Sequence, residues 1–122
     1  MLLRKNRLKR KRDFDVVFRK GKGFRNGFLF LKIIKNKLGI SRFGFIVGKK
    51  LSKKATIRNK VRRRIAEMAR LKLKNLKPGI DVVFIAFPGL EKKSYREIEE
   101  IVNKLFVKAK VLKRISFYSV PK

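Results

Sequence analysis

Histidine, cysteine and tryptophan are all missing from the 122 residues. Without His or Cys there is no disulfide, thiol nucleophile, imidazole acid–base group or Cys/His zinc site. Acidic residues are scarce, with eight Asp and Glu against 37 Lys and Arg, a net charge of +29. That imbalance calls for a polyanionic partner. Long apolar runs are missing too. The longest, around 28–34, is broken by Lys32 and falls well short of the ~20 residues a bilayer span needs. The basic start, Met1 to Arg7, is followed by no apolar signal segment, and neither end carries a lipidation motif. The expectation is a soluble cytoplasmic protein with no membrane partner, in a compartment where nucleic acid is the abundant polyanion.

What is present is enough for a core. The chain is 44% hydrophobic with 11 Phe, which excludes a purely disordered basic tail, and its length suits one domain spanning 1–122. The charge is segregated. Seven of the first twelve residues are basic, and between Asp15 and Glu67 there are 17 basic residues and no acid. Five of the eight acids fall between Asp81 and Glu100. Segregation concentrates the field where phosphates lie, as a binding face requires.

Periodicity predicts a short helix over Asp13 to Lys20, with Phe14, Val17 and Phe18 on one face and Gly21 as its C′ residue. Residues 24–35 read as strand, divisible near Asn26-Gly27, and Arg42 to Gly48 as a second strand. These are expected to pair as an antiparallel hairpin across the Asn36–Gly39 turn. A basic helix follows over about 56–73, with Ile57, Val61, Ile65, Met68 and Ala69 on its buried stripe. Ile80 to Phe87 is an apolar run typical of a buried central strand, and Ser94 with Glu97 forms a capping box opening a last helix. The order αβββαβα predicts an α+β sandwich with helices on a mainly antiparallel sheet. If the strands around the basic helix are parallel neighbours, general chirality makes their crossover right-handed.

The densest constellation runs from Lys49 to Arg64, with nine basic residues in sixteen and no acid. Arg58/Arg62 and Asn59/Arg63 are i, i+4 neighbours, so like charges stack on one helix, an arrangement that phosphates would relieve. Guanidinium forks match phosphate oxygens, and Asn can reach base edges or 2′-hydroxyls. Arg4 to Arg12 reads as an RNA-contacting basic arm, residues 1–12. Most Phe must be core, but Phe14 and Phe18, and Phe28 and Phe30 alternating along a strand, are candidates for stacking unpaired bases. No catalytic pair of carboxylates and no phosphate-binding glycine loop is found. The residues themselves lead to a basic α+β RNA- or DNA-binding domain that is not itself catalytic.

The block Arg58-Asn59-Lys60-Val61-Arg62-Arg63 resembles the signature of the bacterial ribonuclease P protein subunit family, R-N-[RK]-hydrophobic-[KR]-R. Three further blocks match in order. Lys5-Asn6-Arg7-Leu8-Lys9 with Asp13-Phe14 and Val17-Phe18 is similar to the family's N-terminal segment. Phe43-Gly44-Phe45-Ile46-Val47-Gly48-Lys49-Lys50 is similar to its strand leading into a Lys pair, and Asp81 to Ala86 to its last strand. The resemblance implies the accessory subunit of a ribonucleoprotein that removes the 5′ leader of precursor tRNA, the RNA subunit cutting with Mg²⁺ and no organic cofactor taking part. It implies that Arg58, Asn59, Lys60, Arg62 and Arg63, with Lys49, Lys50 and Lys53, contact ribonuclease P RNA. Arg10, Phe14, Phe18, Phe30 and Lys32 would border the leader cleft, and the protein would hold no metal and form no oligomer. It also implies a four-stranded sheet in a fold shared with a domain of a small-subunit ribosomal protein, with a left-handed βαβ crossover, against the general rule.

Residues 110–122 are a variable tail outside the match, and the chain departs from the pattern in three places. Ser52 stands where the family favours Gly, in a loop one residue longer. Ala66 replaces a usual Arg. Arg64 replaces an apolar residue, so its stem must lie along the apolar stripe while the head reaches solvent. The alternative class is a basic ribosomal or ribosome-assembly RNA-binding protein. A DNA-compacting or membrane-active protein fits less well, because each predicted helix has a stripe to bury.

Overall fold

The computed structural model describes residues 2–112. Its elements are α1 (Lys11–Lys20), β1 (Lys22–Asn26), β2 (Leu29–Lys35), β3 (Arg42–Val47), α2 (Ala55–Lys72), β4 (Ile80–Ala86) and α3 (Tyr95–Ala109), with a 3-10 turn at Arg4–Asn6. The four strands form one mixed sheet in the order β1-β2-β4-β3. β1 pairs with β2, and β2 with β4, antiparallel, whereas β3 and β4 are parallel.

The expected hairpin of β2 with β3 is therefore wrong, and β4 lies between them. Six of the seven β4 residues are buried, so this strand needs neighbours on both edges and cover on both faces. β3, with Arg42, Phe45 and Ile46 only half-buried, is suited to the edge. The tight hairpin that does form joins β1 to β2 through Gly27, whose φ of 58° is the left-handed value glycine tolerates.

Alternation assigns the two faces of the sheet. Leu29, Leu31 and Ile33 of β2, Phe43 and Val47 of β3, and Val82 and Phe84 of β4 face the main core. There they meet Val61, Ile65, Met68 and Ala69 of α2 and Ile98, Val102, Leu105 and Phe106 of α3. Phe84 stacks on Phe45 at 5.7 Å and meets Phe106 edge-on at 5.9 Å. The stripe expected on α2 is thus buried, apart from half-exposed Ile57. The capping box of α3 is formed, Glu97 N donating to Ser94 Oγ at 3.1 Å and Ser94 N to Glu97 Oε1 at 2.9 Å.

The opposite face carries a smaller cluster of Leu8, Val17 and Val83, with Phe14, Phe18, Ile34, Ile46 and Ile85 packed around it. α1 covers it alone. Gly21 ends α1, but with φ of −75° it is no left-handed C′ residue. Its need for glycine is steric, since a Cβ there would meet the Val17 carbonyl oxygen at 2.4 Å.

The basic arm is shorter and more ordered than a 1–12 arm. Helix α1 already starts at Lys11, and Leu2, Asn6 and Leu8 are buried. Leu8 N donates to Phe43 O at 2.8 Å, tying the arm to the β3 edge. At the other end Lys77 N donates to Val111 O at 2.7 Å. The rest of the expected tail, 113–122, lies outside the described residues.

Candidate nucleic-acid interface

Strand register places three cross-strand rows on the α1 face. Arg42, Asp81 and Ile34 form the first row; Gly44, Val83, Lys32 and Gly23 the second; Ile46, Ile85, Phe30 and Arg25 the third. Helix α1 lies across the first two. Phe14 sits where a Cβ on Gly44 would meet its ring at 2.4 Å, and Lys32 Nζ donates to Phe18 O at 2.6 Å. A cation on a C-terminal carbonyl also complements the negative end of the helix dipole. The third row lies at the edge of the helix, its Ile46, Ile85 and Phe30 half-buried, with Ile46 and Ile85 packed against the border of the α1 cluster. With strands ~4.8 Å apart this open row is about 14 Å wide. Glycine again makes room: the Phe30 ring lies over Gly23, where a Cβ would meet its Cζ at 2.7 Å.

Arg42 fastens α1 to the sheet. Its Nε and Nη2 donate to Asp81 Oδ1 and Oδ2 at 3.0 and 2.7 Å, and its Nη1 to Asp13 Oδ2 on α1 at 3.4 Å. Asn36 Nδ2 adds a bond to Asp81 Oδ1 at 2.7 Å. The hydrogen bonds to Asp81 hold the guanidinium above its ordinary pKa despite burial. Arg42 is thus a structural cation; with Asp13 it also borders a basin of about 370 Å³ that carries exposed Arg10 beside Arg4, Lys5, Arg7 and Lys9.

The second candidate surface is α2, on the other side of the sheet. Arg58 folds back, its Nη1 donating to Ser52 O and Lys53 O at 2.9 Å each. It closes a loop pinned inward by buried Leu51, which leaves Lys49, Lys50 and Lys53 exposed. Ser52 Oγ accepts from Lys54 N at 3.2 Å, so the serine that departs from the family pattern makes the turn itself. Arg62 Nη1 turns to Asn59 Oδ1 at 2.7 Å. Arg58 and Arg62, expected to stack as like charges, are thus each held by oxygen acceptors of the chain. Lys60 and Arg63 are exposed. Arg64 crosses to the segment before α3, its Nη1 donating to the Lys93 carbonyl at 3.4 Å. Further along, Arg70 grips Glu67 through Nε and Nη2 at 3.0 and 2.5 Å, holding that carboxyl below the usual range.

An apolar groove of about 500 Å³ runs between the two surfaces at the β3 edge. Leu2, Leu8, Phe14, Phe43 and Phe45 line it, with Arg7, Arg62 and Arg63 along it. Phe14, Phe18, Phe30 and Lys32 therefore gather on one face and the α2 and loop cations on the other, and Phe14 lines the groove between them. Phe28 lies one residue pair beyond the third row, its carbonyl accepting from Phe87 N at 2.8 Å. It lies outside β2, over Gly89 and beneath Lys93, 5.3 Å from the ring centre. Sequence reading missed Ile46, Ile85, Arg25 and Phe87. Alternation with core-facing Phe24 and Ala86 is the signal that could have placed the last two on the open face.

Among the described residues no group of three Asp or Glu could hold a metal, and no helix is long and apolar enough to cross a membrane. Fold and surfaces define a class: a small, strongly cationic α+β protein with basic surfaces on both sides of a half-covered sheet. The profile of the ribonuclease P family matches residues 2–110, and the chain belongs to that family. It is 40% identical over 108 residues to the ribonuclease P protein component of Clostridium botulinum strain 657, covering 88% of this chain and 96% of that protein. The component from Alkaliphilus metalliredigens is 36% identical over 107 residues, with the same coverage. Among solved structures, the RNase P protein of Staphylococcus aureus superposes with a TM-score of 0.82 at 27% identity, over 88% of this chain and 98% of that one. That of Thermotoga maritima gives 0.73 at 32%, over 81% and 94%. Membership decides between the two RNA-binding classes the residues left open. The chain is an accessory subunit of the endoribonuclease that matures tRNA 5′ ends.

Proposed function

We propose that this subunit holds two RNAs at once, ribonuclease P RNA on its α2 side and the single-stranded 5′ leader of precursor tRNA on the open sheet row. The observation that carries this is the incomplete cover of the sheet. α1 shields two rows and leaves a third, half-exposed and partly aromatic, beside a cationic rim. Unpaired bases have flat apolar faces and anionic backbones, and such a surface suits both. In this reading Phe30 meets bases on the open row, Phe14, Phe18 and Lys32 border it from under α1, Arg10 meets phosphates on the basin beyond the helix, and Arg42 keeps α1 at the height that leaves the row open.

On the other side, Lys49, Lys50 and Lys53 with Lys60, Arg62 and Arg63 neutralise phosphates of the RNA subunit. Arg58 shapes their loop, and Asn59 Nδ2 offers a polar contact. Mg²⁺ supplies activated water and charge neutralisation when bound to the RNA. Asp13 and Asp81 are both committed to Arg42, so neither is offered as a ligand for the ion. No step is assigned to a protein-bound metal. The subunit acts in the cytoplasm, where its RNAs are made.

Reconstitution tests the reading. Added to ribonuclease P RNA and precursor tRNA at low Mg²⁺, the purified protein should stimulate leader removal. Absence of stimulation, with the protein folded by circular dichroism, would overturn it.

A further inference from the structure

Arg25 and Phe87 meet at the outer end of the open row although they lie far apart in the chain. Phe24 packs into the main core, so Arg25 is directed to the α1 face, where it pairs in register with Phe30. Phe87 follows Ala86, another main-core residue, and falls on the same side. The guanidinium carbon of Arg25 lies over the Phe87 ring at 4.6 Å from its centre, and its Nε donates to Gly27 O at 3.0 Å. Arg25 is nonetheless exposed. A second pair adjoins it: Phe87 N donates to Phe28 O at 2.8 Å, and Lys93 lies over Phe28. The nearby carboxylate of Glu91 is turned to the Gly89 N–H at 2.8 Å.

We propose that the Arg25–Phe87 pair is a nucleobase-stacking subsite, one step beyond Phe30, that takes an unpaired base of the single-stranded RNA on the open row. This rests on the leader reading above and extends it to residues outside that set. A guanidinium is flat, weakly hydrated and always charged, so it can stack on a base and contact its phosphate together. The Phe87 ring beneath it and the Gly27 carbonyl at its Nε hold it in place before the base arrives, which reduces the ordering cost of binding. Lys93 on Phe28 continues the cationic rim, giving the strand a direction across the sheet: Lys32, Phe30, Arg25, then Lys93.

The holoenzyme reconstituted with ribonuclease P RNA tests this, using precursor tRNAs with a long leader and with a leader too short to reach beyond Phe30. Arg25→Ala should lower the long-to-short affinity ratio about five- to tenfold, within the range for loss of one stacked base. Arg25→Lys, which keeps the charge but not the plane, should recover less than half of that loss. Full recovery by Lys would overturn a stacking subsite. So would an unchanged ratio for Arg25→Ala while Phe14→Ala, the control within the cleft, weakens long-leader binding. If neither variant affects long-leader binding, the leader reading itself fails. Affinity of the protein for the RNA subunit alone, measured in parallel, should be the same for the Arg25 variants and the parent protein. A drop there would assign Arg25 to the other interface and overturn the proposal.

Discussion

At Arg42 the chain commits two of its eight carboxylates to one guanidinium. The pair with Asp81 is largely buried, Asp81 being 7% exposed at its side chain. Removing the cation leaves that carboxylate unpaired in the interior and unfastens α1. Arg42→Met should therefore destabilise the protein by about 2–3 kcal/mol, read as a lower urea midpoint. It should weaken leader binding more than RNA-subunit binding, since only the α1 face loses its anchor. Gly21 offers a simpler test of the same joint. Because the atom a Cβ would strike is a backbone oxygen at 2.4 Å, the clash cannot be relieved by a rotamer, and Gly21→Ala should cost about 1–3 kcal/mol. An unchanged thermal midpoint for Gly21→Ala would show that the α1–β1 junction is loose.

Among the elements, α2 departs most from the local expectation. Its i, i+4 spacing predicts stacked like charges, yet Arg58 bonds backward to its own loop and Arg62 to Asn59. Charge repulsion and nearby carbonyls decide side-chain direction, and neither is visible in periodicity alone. The pair Arg58→Ala/Arg63→Ala should weaken binding to the RNA subunit and flatten its dependence on salt. For every phosphate the protein no longer neutralises, the slope of log K against log salt falls by roughly 0.7–0.9. An unchanged slope would remove α2 from the interface. Helix α3 was more legible, because a capping box is local: Ser94 and Glu97 need no distant partner. Ser94→Ala should cost about 1 kcal/mol. The bonds from Ser94, through its backbone N–H first, hold Glu97 below its ordinary pKa. A depressed carboxylate stabilises the fold above its unfolded pKa and loses that contribution as pH falls through the folded one. Acid titration below the usual carboxylate range should thus loosen α3, and Glu97→Gln should shrink that part of the pH dependence, followed by circular dichroism.

For the molecule as a whole, strand and helix identities were readable and their neighbours were not. β4 announced itself as central by its apolar run, but nothing in residues 29–47 says that β2 and β3 must lie apart to admit it. The same limit hid Arg25 beside Phe87, a pairing made by register rather than by spacing. The charge, by contrast, was legible as segregated before any fold was known. Its arrangement on both sides of one sheet needed the fold. A chain cut after residue 79 tests how far the sheet depends on β4. It should show helix without a cooperative unfolding transition, because β2 and β3 do not pair with each other.

The central position of β4 has a further consequence, for time. β2 is paired with residues about 45–57 positions later in the chain, and at about 5–20 residues per second a ribosome takes roughly 2–11 s to make them. Through that interval β2 has only β1 to pair with and α2 has no finished sheet to lie against. Because β4 pairs with both β2 and β3, the two faces of the sheet are completed by the same strand.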